Sequence, residues 1–377
     1  MNWKGVALLL ILVLTGCMKD DKPDDIAMRT ILVYMVGDNS LSSFTYKNLQ
    51  SIVEGAEHSS IETCNLLVYI DALDAAPKLY KIEKNSKGKA DSVLVVTYKE
   101  QNSVDEEVMR SVIETVYSAY PAEEKGLFLW SHGTAWLPSD ITNYLKSFGQ
   151  DGAADMEMTD LKDALPGRYD YIVFDACYMA SVEVVYELKD KADYIIGSST
   201  EIIGDGFPYS DIIPILLSGQ SLEERLISAS TFFYNHYDHL VGYNRTGNIS
   251  LVRTAYLNDL ATTCRQILYG TYEEERMIDP SKFGLDLQAL EYLTYPYTDS
   301  YLYDFGDFLS QFEENGKISL DETVLYKATT PTAYFDGPKT AMEIQTYSGL
   351  SVYIPQKRHA AMNEWYRCLA WYKAVYE

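Results

Sequence analysis

Apolar positions along the chain fall into two rhythms. Ile31 to Val36, Leu66 to Ile70, Val93 to Thr97, Leu127 to Trp130, Tyr171 to Phe174 and Tyr194 to Gly197 are short, nearly unbroken apolar runs. Runs of that length suit strands of a parallel sheet buried on both faces. Between them, Phe44 to Ala56, Val104 to Tyr120 and Met179 to Leu188 carry apolar residues at helical spacing, and Pro121 stops the second. Strands alternating with helices predict an α/β domain over residues 28–215, built on a mainly parallel sheet flanked by helices. Thr134 to Leu165 is a longer polar segment holding Gly149 and Gly152, read as a surface loop leading into a helix at Met158 to Ala164. From Ser221 the rhythm turns more helical. Ser221 is placed to cap a helix through Tyr237, and Leu257 to Leu268, Phe305 to Phe312 and Ala360 to Tyr376 read as further helices. Residues 216–377 are therefore expected as a helix-rich part packed on the first domain, returning one strand at Leu350 to Ile354. No internal repeat is visible.

Two of the apolar runs end in chemistry. Tyr171 to Phe174 is followed by Asp175, Ala176 and Cys177 just before a helical pattern begins. This is the carboxyl end of a strand, where open α/β sheets place their ligands. A helix amino terminus nearby would favour the thiolate, the form that attacks. Side-chain alternation puts Asp175 and Cys177 on the same side of an extended segment. The plainer reading of Cys177 is a small buried hydrophobe. The run Leu127 to Trp130 ends in Ser131, His132 and Gly133, and a histidine there can face a cysteine at the end of a neighbouring strand. Of the other four histidines, His58, His236, His239 and His359, none closes an apolar run.

The Ser-His-Gly after one strand and the Asp-Ala-Cys after another resemble the histidine-glycine and alanine-cysteine motifs of caspase-like cysteine peptidases, and among them the clostripain-like family. Thr30 to Leu41, TILVYMVGDNSL, resembles the family's opening strand, and Ser348 to Pro355, SGLSVYIP, a strand near its end. The resemblance implies a caspase-like fold and a cysteine endopeptidase. On that resemblance Cys177 is expected to attack the scissile carbonyl, with His132 as its proton partner and the backbone N–H groups of Gly133 and Cys177 holding the oxyanion. It also implies that no third triad member is needed and that Cys177 and His132 need not touch at rest.

Specificity is argued from Asp175. A partly buried carboxylate beside the nucleophile needs a partner, and a substrate Arg or Lys supplies one. The resemblance places Asp175 in the pocket for the residue before the cut bond, and Asp205, in the loop Ile203 to Tyr209, as a second acid of that pocket. The rival use of Asp175 is to cap the following helix. Related peptidases cut themselves between histidine and cysteine, which puts a self-cleavage site at Lys146-Ser147, with Lys162 and Arg168 as competitors. Two alternatives remain open: a lipid-anchored binding protein keeping the fold without activity, and a peptidase of non-basic specificity, such as cleavage after Asn.

The amino terminus changes the setting. Met1 to Gly16 carries Lys4 followed by an aliphatic stretch from Val6 to Leu14, too short to span a bilayer and suited to a secretion signal. Leu14 to Cys17, LTGC, resembles the bacterial lipoprotein box, which makes 1–16 a leader and Cys17 the lipidated residue. Residues 17–27 then form an acidic tether, and the protein is expected on the bacterial cell envelope, at the outer membrane, with its face left open. The net charge is −24, or −25 once Lys4 leaves with the leader, which argues against nucleic acid and suits cationic peptides. Cys64, Cys264 and Cys368 show no disulfide-framework spacing, and no zinc or serine-hydrolase motif is present. No cofactor is called for. Some members of the family depend on calcium, which the acid-rich loops leave open although no EF-hand spacing occurs.

Overall fold

The computed structural model describes residues 26–138, 147–269, 287–291, 300–312, 318–335 and 340–377. Its centre is a nine-stranded sheet. Five parallel strands form the middle, in the order β9 (Ala192–Gly197), β8 (Tyr169–Asp175), β5 (Ala122–Trp130), β1 (Ala27–Gly37) and β2 (Cys64–Ala72). Antiparallel strands extend both sides: β3 (Ala75–Lys84) and β4 (Ala90–Thr97) beyond β2, and β10 (Asn248–Arg253) and β12 (Val324–Thr329) beyond β9.

The unbroken apolar runs are explained by the two layers that cover the sheet. Ile31, Val33, Phe128, Trp130, Tyr171 and Val173 pack on one face and Leu32, Tyr34, Leu127, Leu129, Ile172 and Phe174 on the other. Alternate residues therefore point to opposite, equally dry layers, and polar alternation would leave unpaired groups in one of them. Helix α1 (Ser42–Glu57) and the helices at Tyr209–Leu216 and Leu222–Asp238 cover the first face. The helices at Glu106–Ala119 and Leu257–Leu268 and the carboxyl-terminal helices cover the second. Ser221 caps the helix at Leu222–Asp238 through a capping box with Glu224.

The register brings three strand ends level. Met35 pairs with Trp130 and Trp130 with Asp175, so β1, β5 and β8 finish level with one another. The Ser131 hydroxyl donates to the Val36 carbonyl at 2.7 Å and the Ser131 N–H to Asp175 O at 3.3 Å, which lock the three ends together.

Several expectations are corrected here. The sheet does not stop at residue 215: that boundary falls inside the helix Tyr209–Leu216, and β10 and β12 continue the sheet. The helix expected from Met179 starts only at Val182, after the cap Ser181, because Met179 and Ala180 are drawn beside β9 by the bond from Ala180 N to Ser198 O. Ala360 to Tyr376 is two helices, Ala360–Tyr366 and Ala370–Tyr376, with the chain turning between them at Arg367 to Leu369. The strand at Ser351–Tyr353 pairs with Leu302–Asp304 and also bridges Ser181, the cap of the helix after Cys177.

Candidate active site

A cleft of about 350 Å³ opens at the level carboxyl ends of β5 and β8. Ser131 to Thr134, Asp175 to Tyr178 and Glu201 to Gly204 line it, with Leu41, Trp130 and Gly206. The structure thus brings His132 and Cys177 into one cleft on neighbouring strands, and Asp175 and Cys177 both face it. Contact between the two loops is close. A Cβ on Gly133 would lie 2.6 Å from Cys177 O, so only glycine lets the histidine loop approach the cysteine backbone. The N–H groups of Gly133 and Cys177 donate to no backbone carbonyl among the described residues, which leaves both available to an oxyanion.

The loops carrying His132 and Cys177 each contain a strained residue. Ala135 and Tyr178 sit at positive φ, 59° and 65°, a region costly for residues with a Cβ. Tyr178 is held there by its N–H on Thr200 O at 3.1 Å and its hydroxyl on Glu201 at 3.3 Å. The histidine loop is fixed from the far side by Gly149 N on His132 O at 2.9 Å and Thr134 N on Ser147 O at 3.0 Å.

His132 and Cys177 each have another partner at rest. A 2.9 Å hydrogen bond joins His132 Nε2 to the Ser40 hydroxyl, and burial lowers the imidazole pKa, keeping the ring neutral. The half-buried Cys177 Sγ accepts from Ile202 N at 3.3 Å and donates to Ile202 O at 3.6 Å. Burial pushes the thiol well up, and the nearby Glu201 and Asp175 carboxylates add to it against the opposing Ile202 N–H. This corrects the thiolate expectation. The helix begins at Val182, too far along the chain for its dipole to outweigh two acids and desolvation.

Asp175 is fully inside. Burial raises its pKa to about 6, while Phe207 N at 3.1 Å and the Tyr209 hydroxyl at 2.8 Å donate to Oδ2 and pull the other way. These donors come from the 203–209 loop, so Asp175 does not cap the helix after Cys177, whose cap is Ser181. No basic side chain among the described residues pairs with it. Gly206, at φ 67°, lets the loop close on the carboxylate, since a Cβ there would meet Asp175 Oδ2 at 2.6 Å. Asp205 is placed differently: half-exposed, it pairs with Lys47 at the rim, while its neighbours Gly204 and Gly206 line the cleft.

Lys146, Cys17 and the leader lie outside the described residues. Lys162 and Arg168 are held by Glu187 and Asp193. Cys64 and Cys264 are buried and Cys368 exposed, all as free thiols. Among the described residues no three His, Cys, Asp or Glu side chains are arranged to hold a metal ion, and no helix is long and apolar enough to cross a membrane. The sequence reading missed Ser40, Glu201, Ile202, Phe207 and Tyr209. Ser40 stood in the quoted opening motif and the rest follow the β9 run, so position just after a buried strand was the signal available.

Comparison with known proteins decides the family. The clostripain family model, Peptidase C11, matches residues 33–377. The chain belongs to the clostripain family. An inactive zymogen C11 protease from Parabacteroides distasonis is 38% identical and superposes with a TM-score of 0.81 over 93% of this chain and 99% of that one. A secreted C11 cysteine protease from Bacteroides thetaiotaomicron, solved with an irreversible peptide inhibitor, is 31% identical with a TM-score of 0.76 over the same shares. Clostripain of Hathewaya histolytica is 22% identical over 90% of this chain and 79% of its own length. This clostripain-family protein is a cysteine endopeptidase with a caspase-like fold, and the reading as an inactive binding protein falls away.

Proposed function

We propose that this peptidase cuts peptide and protein chains after Arg or Lys, with Cys177 as nucleophile and His132 as its proton partner. The observation that carries the specificity is Asp175, a buried carboxylate facing the cleft with hydrogen-bond donors but no cation. A guanidinium or ammonium entering from the cleft supplies the missing charge, whereas Asn leaves the acid unpaired. Asp205 adds a second negative charge at the rim once Lys47 is displaced.

In the reaction the thiol proton passes to His132, and sulfur bonds to the scissile carbonyl carbon. The oxyanion is held by the N–H groups of Gly133 and Cys177, and His132 returns the proton to the departing amine. Water then cleaves the thioester, giving its proton to His132 and restoring the thiol. Neutral imidazole is the form able to accept the first proton, in keeping with its lowered pKa.

We further propose that the chain cuts itself at Lys146-Ser147, and that a lipid on Cys17 anchors it to the cell envelope. The mechanism draws on protein groups alone. Loss of turnover in chelator, restored by calcium, would add calcium to it. The deciding experiment is a panel of fluorogenic peptides ending in Arg, Lys, Asn, Asp or Leu, offered to residues 18–377 and to the Cys177→Ala variant. Turnover of Arg and Lys peptides alone, absent in the variant, is expected; turnover of the Asn peptide at comparable rate overturns the specificity.

A further inference from the structure

The far edge of the sheet has an unusual surface. Among the described residues β4 pairs only with β3, and Val93, Leu94, Val95 and Val96 are 46, 51, 44 and 37% exposed. Successive strand residues point to opposite faces, so although α1 approaches the strand on one side, apolar side chains are exposed on each face. An uninterrupted apolar run open to water on both faces is uncommon on a soluble domain and marks a contact site.

The charge around it is reversed from that of the molecule. From Ala75 to Thr97 the hairpin holds five lysines, Lys78, Lys81, Lys84, Lys87 and Lys89, against Glu83 and Asp91, a net of +3 in a chain of net −24, and Lys99 and Glu100 follow it. Lys81 is taken by Glu83 and Lys84 by the Ser59 carbonyl. Lys78, Lys87, Lys89 and Lys99 enter no ion pair among the described residues, and the last three are exposed. Flanking lysines and the register shift between Leu79 and Tyr80 are devices that oppose the docking of another strand. They do not oppose a surface that is apolar inside and anionic outside.

We infer that the β3–β4 hairpin is a membrane-contact edge: its lysines bind the headgroups of an anionic phospholipid surface while Val93 to Val96 enter the boundary of the acyl region. Four strand steps separate β4 from β5, which holds the cleft roughly 19 Å from the lipid at ~4.8 Å per step. The carboxyl ends of the strands stay open to substrate. The inference is independent of the proposed specificity and of any lipid on Cys17.

The test uses residues 26–377, which keep every described contact since β1 begins at Ala27; the solved neighbours cover 93% of this chain. Flotation with vesicles of phosphatidylglycerol and phosphatidylcholine, against phosphatidylcholine alone, reads the binding. Binding is expected only with phosphatidylglycerol, weakened by salt. The triple variant Lys87→Glu, Lys89→Glu, Lys99→Glu is expected to lose at least roughly tenfold in partition. A Leu94→Ser, Val96→Ser variant is expected to lose several-fold without greater salt sensitivity, and both are expected to keep wild-type active-site labelling of Cys177. No binding of the wild-type chain, equal binding by the lysine variant, or a concentration-dependent dimer that β4 substitution abolishes while vesicles are ignored would each overturn the inference.

Discussion

At the residue scale, the site holds one acid, Asp175, placed where water cannot reach it. Asp175 has a folded pKa of about 6, above its ordinary 3.8, so the folded state binds its proton more tightly than the unfolded state. Stability is therefore lost as pH rises from about 3.8 to about 6, and the full penalty, on the order of 3 kcal/mol, is present above that window. Asp175→Asn should raise the melting temperature at pH 7.5 and leave it nearly unchanged at pH 4. It should also reduce kcat/KM on Arg and Lys peptides by about a hundredfold or more, the cost of leaving the substrate cation unpaired. For the wild-type enzyme, kcat/KM on these peptides should fall as pH drops through about 6. Glu201 acts on the neighbouring thiol. Glu201→Gln removes a charge that opposes the thiolate, so iodoacetamide alkylation of Cys177 at pH 8 should speed up roughly threefold to tenfold; an unchanged rate would remove Glu201 from the electrostatics of the site. Cys177, His132 and Asp175 were legible because each closes a buried apolar run. The environment that tunes them was not, since Glu201 reaches the cleft, and Phe207 and Tyr209 the Asp175 carboxylate, from a segment whose path is set by tertiary packing.

At the element scale, legibility followed the source of each element's stability. The helices at Met158–Ala164 and Leu257–Leu268 match the sequence reading end to end, and the parallel strands lie where the apolar runs are. β3 was invisible because AAPKLYKIEK mixes proline and lysine with half-buried apolar residues, and only its place between β2 and β4 makes it a strand. β10 and β12 were missed for the same reason, their partners being supplied by the rest of the sheet. The helix at Tyr209–Leu216 carries Pro214 and is fixed by packing on α1. Gly55 of α1 is the point of closest approach, where a Cβ would lie 2.7 Å from Tyr209 O and 3.0 Å from Ile213 Cβ. Gly55→Ala should push the two helices apart at a cost of about 1–3 kcal/mol, read by thermal melting. Because Tyr209 also donates to Asp175, the substitution should raise KM for Arg peptides more than it changes kcat.

At the scale of the whole molecule, the buried acids work in concert. Glu183 and Asp304 are raised to about 7 and about 6 by burial, Asp71 is raised too, and with Asp175 all bind protons more tightly when folded. The protein should melt at a higher temperature at pH 5 than at pH 8, and Glu183→Gln should shrink that difference. A stability rising with pH across this range would contradict the buried-acid assignment. Glu183 also ties distant parts of the chain together: it accepts from Tyr353 N at 2.8 Å, 170 residues away, while Ser351 N donates to Ala180 O at 3.0 Å. The segment that follows Cys177 is thus finished by a strand encoded far downstream. During synthesis the ribosome releases Cys177 long before Ser351 to Tyr353, so a nascent chain carries the cysteine before the strand that bonds Ala180 and Glu183 behind it. That strand can dock only after it has been made, so the order of translation puts a delay between making Cys177 and completing the segment behind it.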